Sequence, residues 1–160
     1  MGVRTSLERP HVDEEAFSEG RPVLLATVGV PFDERAANFA VDSAVEAGQP
    51  LIVANVTRLE PLSLSVRLGY DALEELTPEV SASVRRPAEL AASLGVAVER
   101  LRIRTPRPIT ALLELAAERR PGLLVFGPDR GRVSRRAYRR SVSSLRTRAT
   151  CPIWIAPDAA

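Results

Sequence analysis

Five short apolar runs, separated by stretches of helical periodicity, constrain this chain more than any other feature. They fall at residues 22–29 (PVLLATVG), 51–56 (LIVANV), 96–103, 123–127 (LLVFG) and 152–156. Four are nearly continuous and apolar, the pattern of a strand covered on both faces. The run at 96–103 alternates imperfectly through Val96, Val98, Leu101 and Ile103, as a strand nearer the sheet's edge does. Between the first two runs, Asp33 can cap a helix reaching about Glu46. Ala36, Phe39, Ala40, Ser43 and Ala44 lie along one face of it, and Gly48 closes it. Pro108 opens another helix, with Ile109, Leu112, Leu113, Leu115 and Ala116 apolar. Residues 135–149 set Tyr138, Val142, Leu145 and Ala149 at helical spacing. Residues 58–93 are the least regular, punctuated by Pro61, Pro78 and Pro87. Helices are expected there over 66–76 and 87–94, the second with Pro87 in its first turn. Strands alternating with helices imply an α/β fold, a single doubly wound and mostly parallel sheet with helices on both faces.

Composition narrows the class. At 160 residues, 45% hydrophobic and 26% charged, the chain suits one soluble globular domain with a sizeable core. No apolar run approaches the ~20 residues that cross a bilayer, so no membrane association is expected. Residues 1–20 are polar and acidic, without the apolar centre of a signal peptide, and read as a disordered leader to a domain at 21–157. One cysteine, Cys151, excludes an intrachain disulfide and suits a reducing, cytoplasmic setting. One cysteine and one histidine, His11, leave no thiol–imidazole cluster for a metal.

Charge is unevenly placed. All 22 basic residues are arginine, and residues 119–148 hold ten of them against Asp129 alone, a net of +9. A solvated helix face explains such an element, and so does an anionic partner. Only Tyr138 interleaves the arginines of 130–148, so they form no stacking platform for single strands, and no motif for sequence-specific nucleic-acid binding accompanies them.

The arginines sit in the stretch 123–155, LLVFGPDRGRVSRRAYRRSVSSLRTRATCPIWI. Strand, polar loop, helix, strand is the order that places a phosphate at a helix N-terminus in open α/β sheets. The stretch resembles the C-terminal pattern of the universal stress protein family, in which two apolar runs flank G-x2-G-x9-G-[S/T]-V. The LLATVGV of the first run, the ANV ending in Val56 and the closing CPIWI extend that resemblance over about residues 21–157. It implies five strands in the order 3-2-1-4-5, with a ligand crevice where strands 1 and 4 end, at Gly29 and Gly127. With Ser141-Val142 on the end of the pattern, its first glycine is Gly127, but the second and third fall on Arg130 and Arg140. Gly131 could be the second glycine displaced by one residue. The family's nucleotide-binding members carry an acid at the end of strand 1, where this chain has Val28.

Two readings of that loop stand. In the first, ATP or AMP binding has decayed and the protein is a non-enzymatic regulatory member of the stress-response class, without a cofactor. In the second, Arg130, Arg132 and Arg140 replace the lost backbone cradle and hold another phosphorylated or carboxylate ligand together with Gly131, Ser141 and Val142. No nucleophile, base and oxyanion site assemble, so no enzyme is expected. A phosphate-handling enzyme of the adenine-nucleotide hydrolase-like group would need both the glycine loop and the missing acid. Cys151 reads as a small buried hydrophobe, and Asp33 as a helix cap rather than a catalytic carboxylate. Ile153, Trp154 and Ile155 form a short apolar edge strand, a template for pairing. The resemblance implies a homodimer through that strand. The alternative packs Trp154 beneath the chain's own last helix.

Overall fold

The computed structural model describes residues 20–59 and 78–156. Five strands form one parallel sheet: β1 (Val23–Thr27), β2 (Leu51–Arg58), β3 (Val98–Thr105), β4 (Leu123–Phe126) and β5 (Ile153–Ile155), in the order β3-β2-β1-β4-β5. The strand order is the one expected. β1, with β2 and β4 on either side, is buried at every position, which is why its sequence is continuously apolar rather than alternating.

Among the described residues four helices cover the sheet: α1 (Glu34–Ala47), α2 (Pro78–Ser93), α3 (Pro108–Arg119) and α4 (Arg135–Arg148). One core layer joins Leu25, Val53 and Val125 to Ala36, Ala40, Val41 and Ala44 of α1 and to Ala88 and Ala91 of α2. The other joins Leu24, Ile52, Leu124 and Phe126 to Leu112 and Leu115 of α3 and to Tyr138 and Leu145 of α4. Small residues on α1 let that helix lie close to the sheet, while leucines fill the layer under α3.

α1 begins and ends as its sequence suggests. Asp33 accepts from the backbone N–H groups of Arg35 and Ala36, at 2.9 and 3.1 Å, and Gly48 closes the helix at φ 62°. Losing a cap of this kind costs about 1 kcal/mol. Asp33→Ala is therefore expected to lower the denaturation free energy by about that amount in a urea titration, with an unchanged slope.

Two expectations need revision. The second helix runs from Pro78, not from Pro87, and Pro87 lies inside it. Its buried positions, Val80, Pro87, Ala88 and Ala91, recur at helical spacing against α1 and β2. Packing of that stripe outweighs the hydrogen bond a mid-helix proline forfeits. Proline at the first turn is Pro78. The third strand starts at Val98 rather than at residue 96 and does occupy an edge. The helix expected over 66–76 lies outside the described residues, as does the leader apart from Gly20. No helix among the described residues is long and apolar enough to cross a membrane.

Candidate functional site

In a sheet of this order the crevice lies where β1 and β4 end side by side. The two segments leaving these strands are bonded to each other. Asp33 N–H donates to the Gly127 carbonyl at 2.9 Å, Asp129 N–H donates to the Pro31 carbonyl at 2.8 Å, and Phe32 bridges Pro128. These four backbone groups at the strand ends are spent on one another.

On the β1 side, Val28 packs its side chain into the α3–α4 core layer. Gly29 follows at φ 72°, a conformation that favours glycine. Its N–H donates to Asn55 Oδ1 of β2 at 3.0 Å, and the Thr27 hydroxyl donates to the Val30 carbonyl at 2.8 Å. Val56, beside Asn55, is wholly buried in the core. The polar residue that organises this corner is thus Asn55. Its signal in the sequence was a lone amide inside the apolar run LIVANV.

On the β4 side, Gly127 is buried, and a Cβ added there would collide with the Cβ of Ala36. Its lack of a side chain serves the approach of α1 to the sheet. Beyond it Asp129 turns back on its own loop. Its carboxylate accepts from Gly131 N–H at 2.9 Å, and its carbonyl accepts from Arg132 N–H at 3.0 Å, closing a 3-10 turn at Arg130–Arg132. A carboxylate therefore already holds the N–H that a phosphate would seek in this loop.

The arginines are dispersed. The Arg130 guanidinium lies over the Tyr138 ring, 4.4 Å from its centroid, a cation–π contact. Arg132 pairs with Glu79 at the start of α2. Arg140 is exposed on α4. Ser141 lies in the second turn of α4, where its hydroxyl donates to the Ala137 carbonyl at 2.9 Å, and Val142 packs on the core below it. The start of α4 is capped instead by Ser134, which accepts from Ala137 N–H. Gly127, Arg130, Gly131 and Arg132 are brought together on the loop. Arg140, Ser141 and Val142 belong to the body of the helix.

Two further residues have defined surroundings. Cys151 is half-buried rather than buried, because it packs at the margin of the α3–α4 layer, and burial pushes its thiol pKa up, opposed by a hydrogen bond from its own backbone. It is therefore a protonated packing group and not a ready thiolate. Trp154 stacks on Phe39 of α1, with ring centroids 4.3 Å apart, on the face opposite the last helix.

The Usp model, described as the universal stress protein family, matches residues 20–157. The fold is similar to that of several solved structures at low identity. Universal stress protein UspA from Lactobacillus plantarum is 13% identical, with a TM-score of 0.63 over 87% of this chain and 100% of that one. A universal stress protein from Archaeoglobus fulgidus in complex with dAMP is 15% identical, with a TM-score of 0.55 over 85% and 97%. A family protein from Arabidopsis thaliana with AMP bound is 17% identical, with a TM-score of 0.56 over 88% and 93%. No curated protein matches the sequence.

Proposed function

We propose a function from one premise: the chain belongs to the universal stress protein family. Within that family it is a non-enzymatic, homodimeric regulatory protein of the stress-response class that no longer binds ATP. Relatives from Archaeoglobus and Arabidopsis hold dAMP and AMP, so an adenine nucleotide is the ligand this site would have to keep. The observation that carries the loss is the Asp129 carboxylate on Gly131 N–H. An incoming phosphate must displace a covalently tethered anion and meet a second negative charge. Arg130 and Arg140 at two glycine positions, and Val28 at the acid position, act in the same direction. Mass spectrometry of the denatured, purified protein tests this reading. No AMP, ADP or ATP is expected, and a stoichiometric nucleotide would overturn it.

Assembly is the second half of the proposal. β5 is the sheet edge opposite β3, and all three of its side chains keep some exposure in the single chain. Antiparallel pairing with a second copy would cover both edges at once. Light scattering at ~100 μM is expected to give twice the chain mass, since a dissociation constant of ~1 μM leaves most copies paired. Trp154→Arg is expected to halve that mass with a native far-UV spectrum. A wild-type monomer at that concentration ends the idea, and a variant that unfolds instead would assign Trp154 to the core with Phe39.

A further inference from the structure

A second polar cluster lies away from the β4 loop, on β2 and β3. Asn55 stands opposite Arg102, and Thr57 opposite Arg104, as paired positions of neighbouring parallel strands. Paired residues project to the same face, here the face covered by α1 and α2, since Val53 and Val98 of the same rows pack there. Asn55 is 1% exposed, and its Oδ1 is fixed by Gly29 N–H, which identifies the other terminal atom as the amide donor. That Nδ2, the Thr57 hydroxyl and the Arg104 Nε are buried without a hydrogen-bond partner among the described residues. Buried donors are ordinarily satisfied, so three adjacent ones call for an acceptor.

The surrounding charge defines that acceptor. Arg100, Arg102 and Arg104 alternate along this face of β3, with no acid among them. Glu99 lies on the other face, held by both terminal nitrogens of Arg119 at 2.8 Å. In the helix packed above, Glu79 is paired with Arg132 and Glu89 with Arg85. α2 follows β2 in the chain and precedes β3, so its N-terminus, the positive end of its dipole, sits at the carboxyl ends of these strands. Among the described residues, these donors, cations and the helix N-terminus lie at the same end of the sheet without an unpaired carboxylate of β3 or α2 beside them.

We propose that the carboxyl ends of β2 and β3 form a subsite for the oxyanion of a small metabolite, phosphate or carboxylate. Arg104 is its principal cation, and the Asn55 amide and Thr57 hydroxyl are its neutral donors. A planar guanidinium beside an amide and a hydroxyl suits an oxyanion better than a halide. The subsite lies two or three strands from β4, ~10–15 Å at the spacing of a sheet. It does not depend on whether the β4 loop binds nucleotide.

Proton–nitrogen correlation spectra of the full chain test the subsite. Sodium phosphate and sodium acetate are titrated separately, with sodium chloride holding the ionic strength. With either oxyanion, the Asn55 Nδ2 and Arg104 Nε signals are expected to move and saturate, with a dissociation constant of ~1 mM or tighter. Saturation by phosphate alone identifies a phosphorylated ligand, and saturation by acetate alone a carboxylate. Arg104→Gln and Thr57→Val are each expected to weaken binding, Arg104→Gln by about tenfold, while Arg146→Gln, exposed on α4, leaves it unchanged. If either variant of the cluster misfolds, the other and the wild-type signals still decide. Shifts that stay linear to ~20 mM in both salts, where a ~1 mM site would be almost full, would overturn the proposal. So would saturable shifts confined to residues 127–141, or wild-type affinity in a folded Arg104→Gln.

Discussion

Gly127→Val is expected to destabilise the protein by about 3 kcal/mol, the upper part of the range for overpacking a core. For a chain of 160 residues, that lowers the melting temperature by about 6–12 °C. The reason is steric. Even one carbon at Gly127 runs into Ala36, which is fully buried in the first turn of α1. That turn is also tied to the same residue by the bond from Asp33 N–H to the Gly127 carbonyl. Gly131→Ala is the matched control. A Cβ there meets only the Asp129 carboxylate oxygen at 3.3 Å, and the site is exposed, so the expected change is within about 0.5 kcal/mol. Calorimetry on the two variants separates them. A Gly127→Val protein melting within ~2 °C of wild type would remove the close approach of α1 as the reason for this glycine.

Nucleotide affinity is expected to rise by about a hundredfold in the triple variant Asp129→Ser, Arg130→Gly, Arg140→Gly. The first change frees Gly131 N–H from its carboxylate, and the other two clear side chains from the positions where the family pattern has glycine. Each recovered contact contributes about 1 kcal/mol, and three together correspond to about two decades in the dissociation constant. The stacking of Arg130 on Tyr138 is forfeited, a modest cost at a half-exposed site. Fluorescence anisotropy with a labelled ATP analogue measures the gain. A folded triple variant that binds no better than wild type would shift the cause from the loop's side chains to the bonds joining the β1 and β4 segments.

The fold was legible because its determinants are local. The runs PVLLATVG and LLVFG have no polar face, and that alone places them inside the sheet. Asp33 and Gly48 mark the ends of α1 within four residues of the groups they satisfy. Pro87 was misread for the same reason. Local rules place proline at a helix start, whereas its position is decided by the stripe that Val80, Ala88 and Ala91 bury against other elements.

The site was legible only as an alignment of types. Which glycines are missing can be read from the spacing of Gly127, Gly131 and Ser141, but what the substituted residues do depends on distant partners. Arg132 meets Glu79 from 53 positions away, and Gly29 meets Asn55 from 26. Neither pairing leaves a periodic trace. Asp129 is only two residues from Gly131, and an Asx turn was open to inference there. Its importance emerges only once the loop is placed at the end of β4, where its carboxylate takes up the Gly131 N–H.

The proposed loss of ATP binding is tested most directly by isothermal titration of the wild-type protein with ATP, with and without magnesium. The self-capped loop, the arginines at 130 and 140 and the valine at 28 predict a dissociation constant of ~1 mM or weaker. A low-micromolar constant at one site per chain would contradict the account. It would mean that Asp129 yields its hydrogen bond to phosphate and that the glycine at 131 serves in place of the one missing at 130.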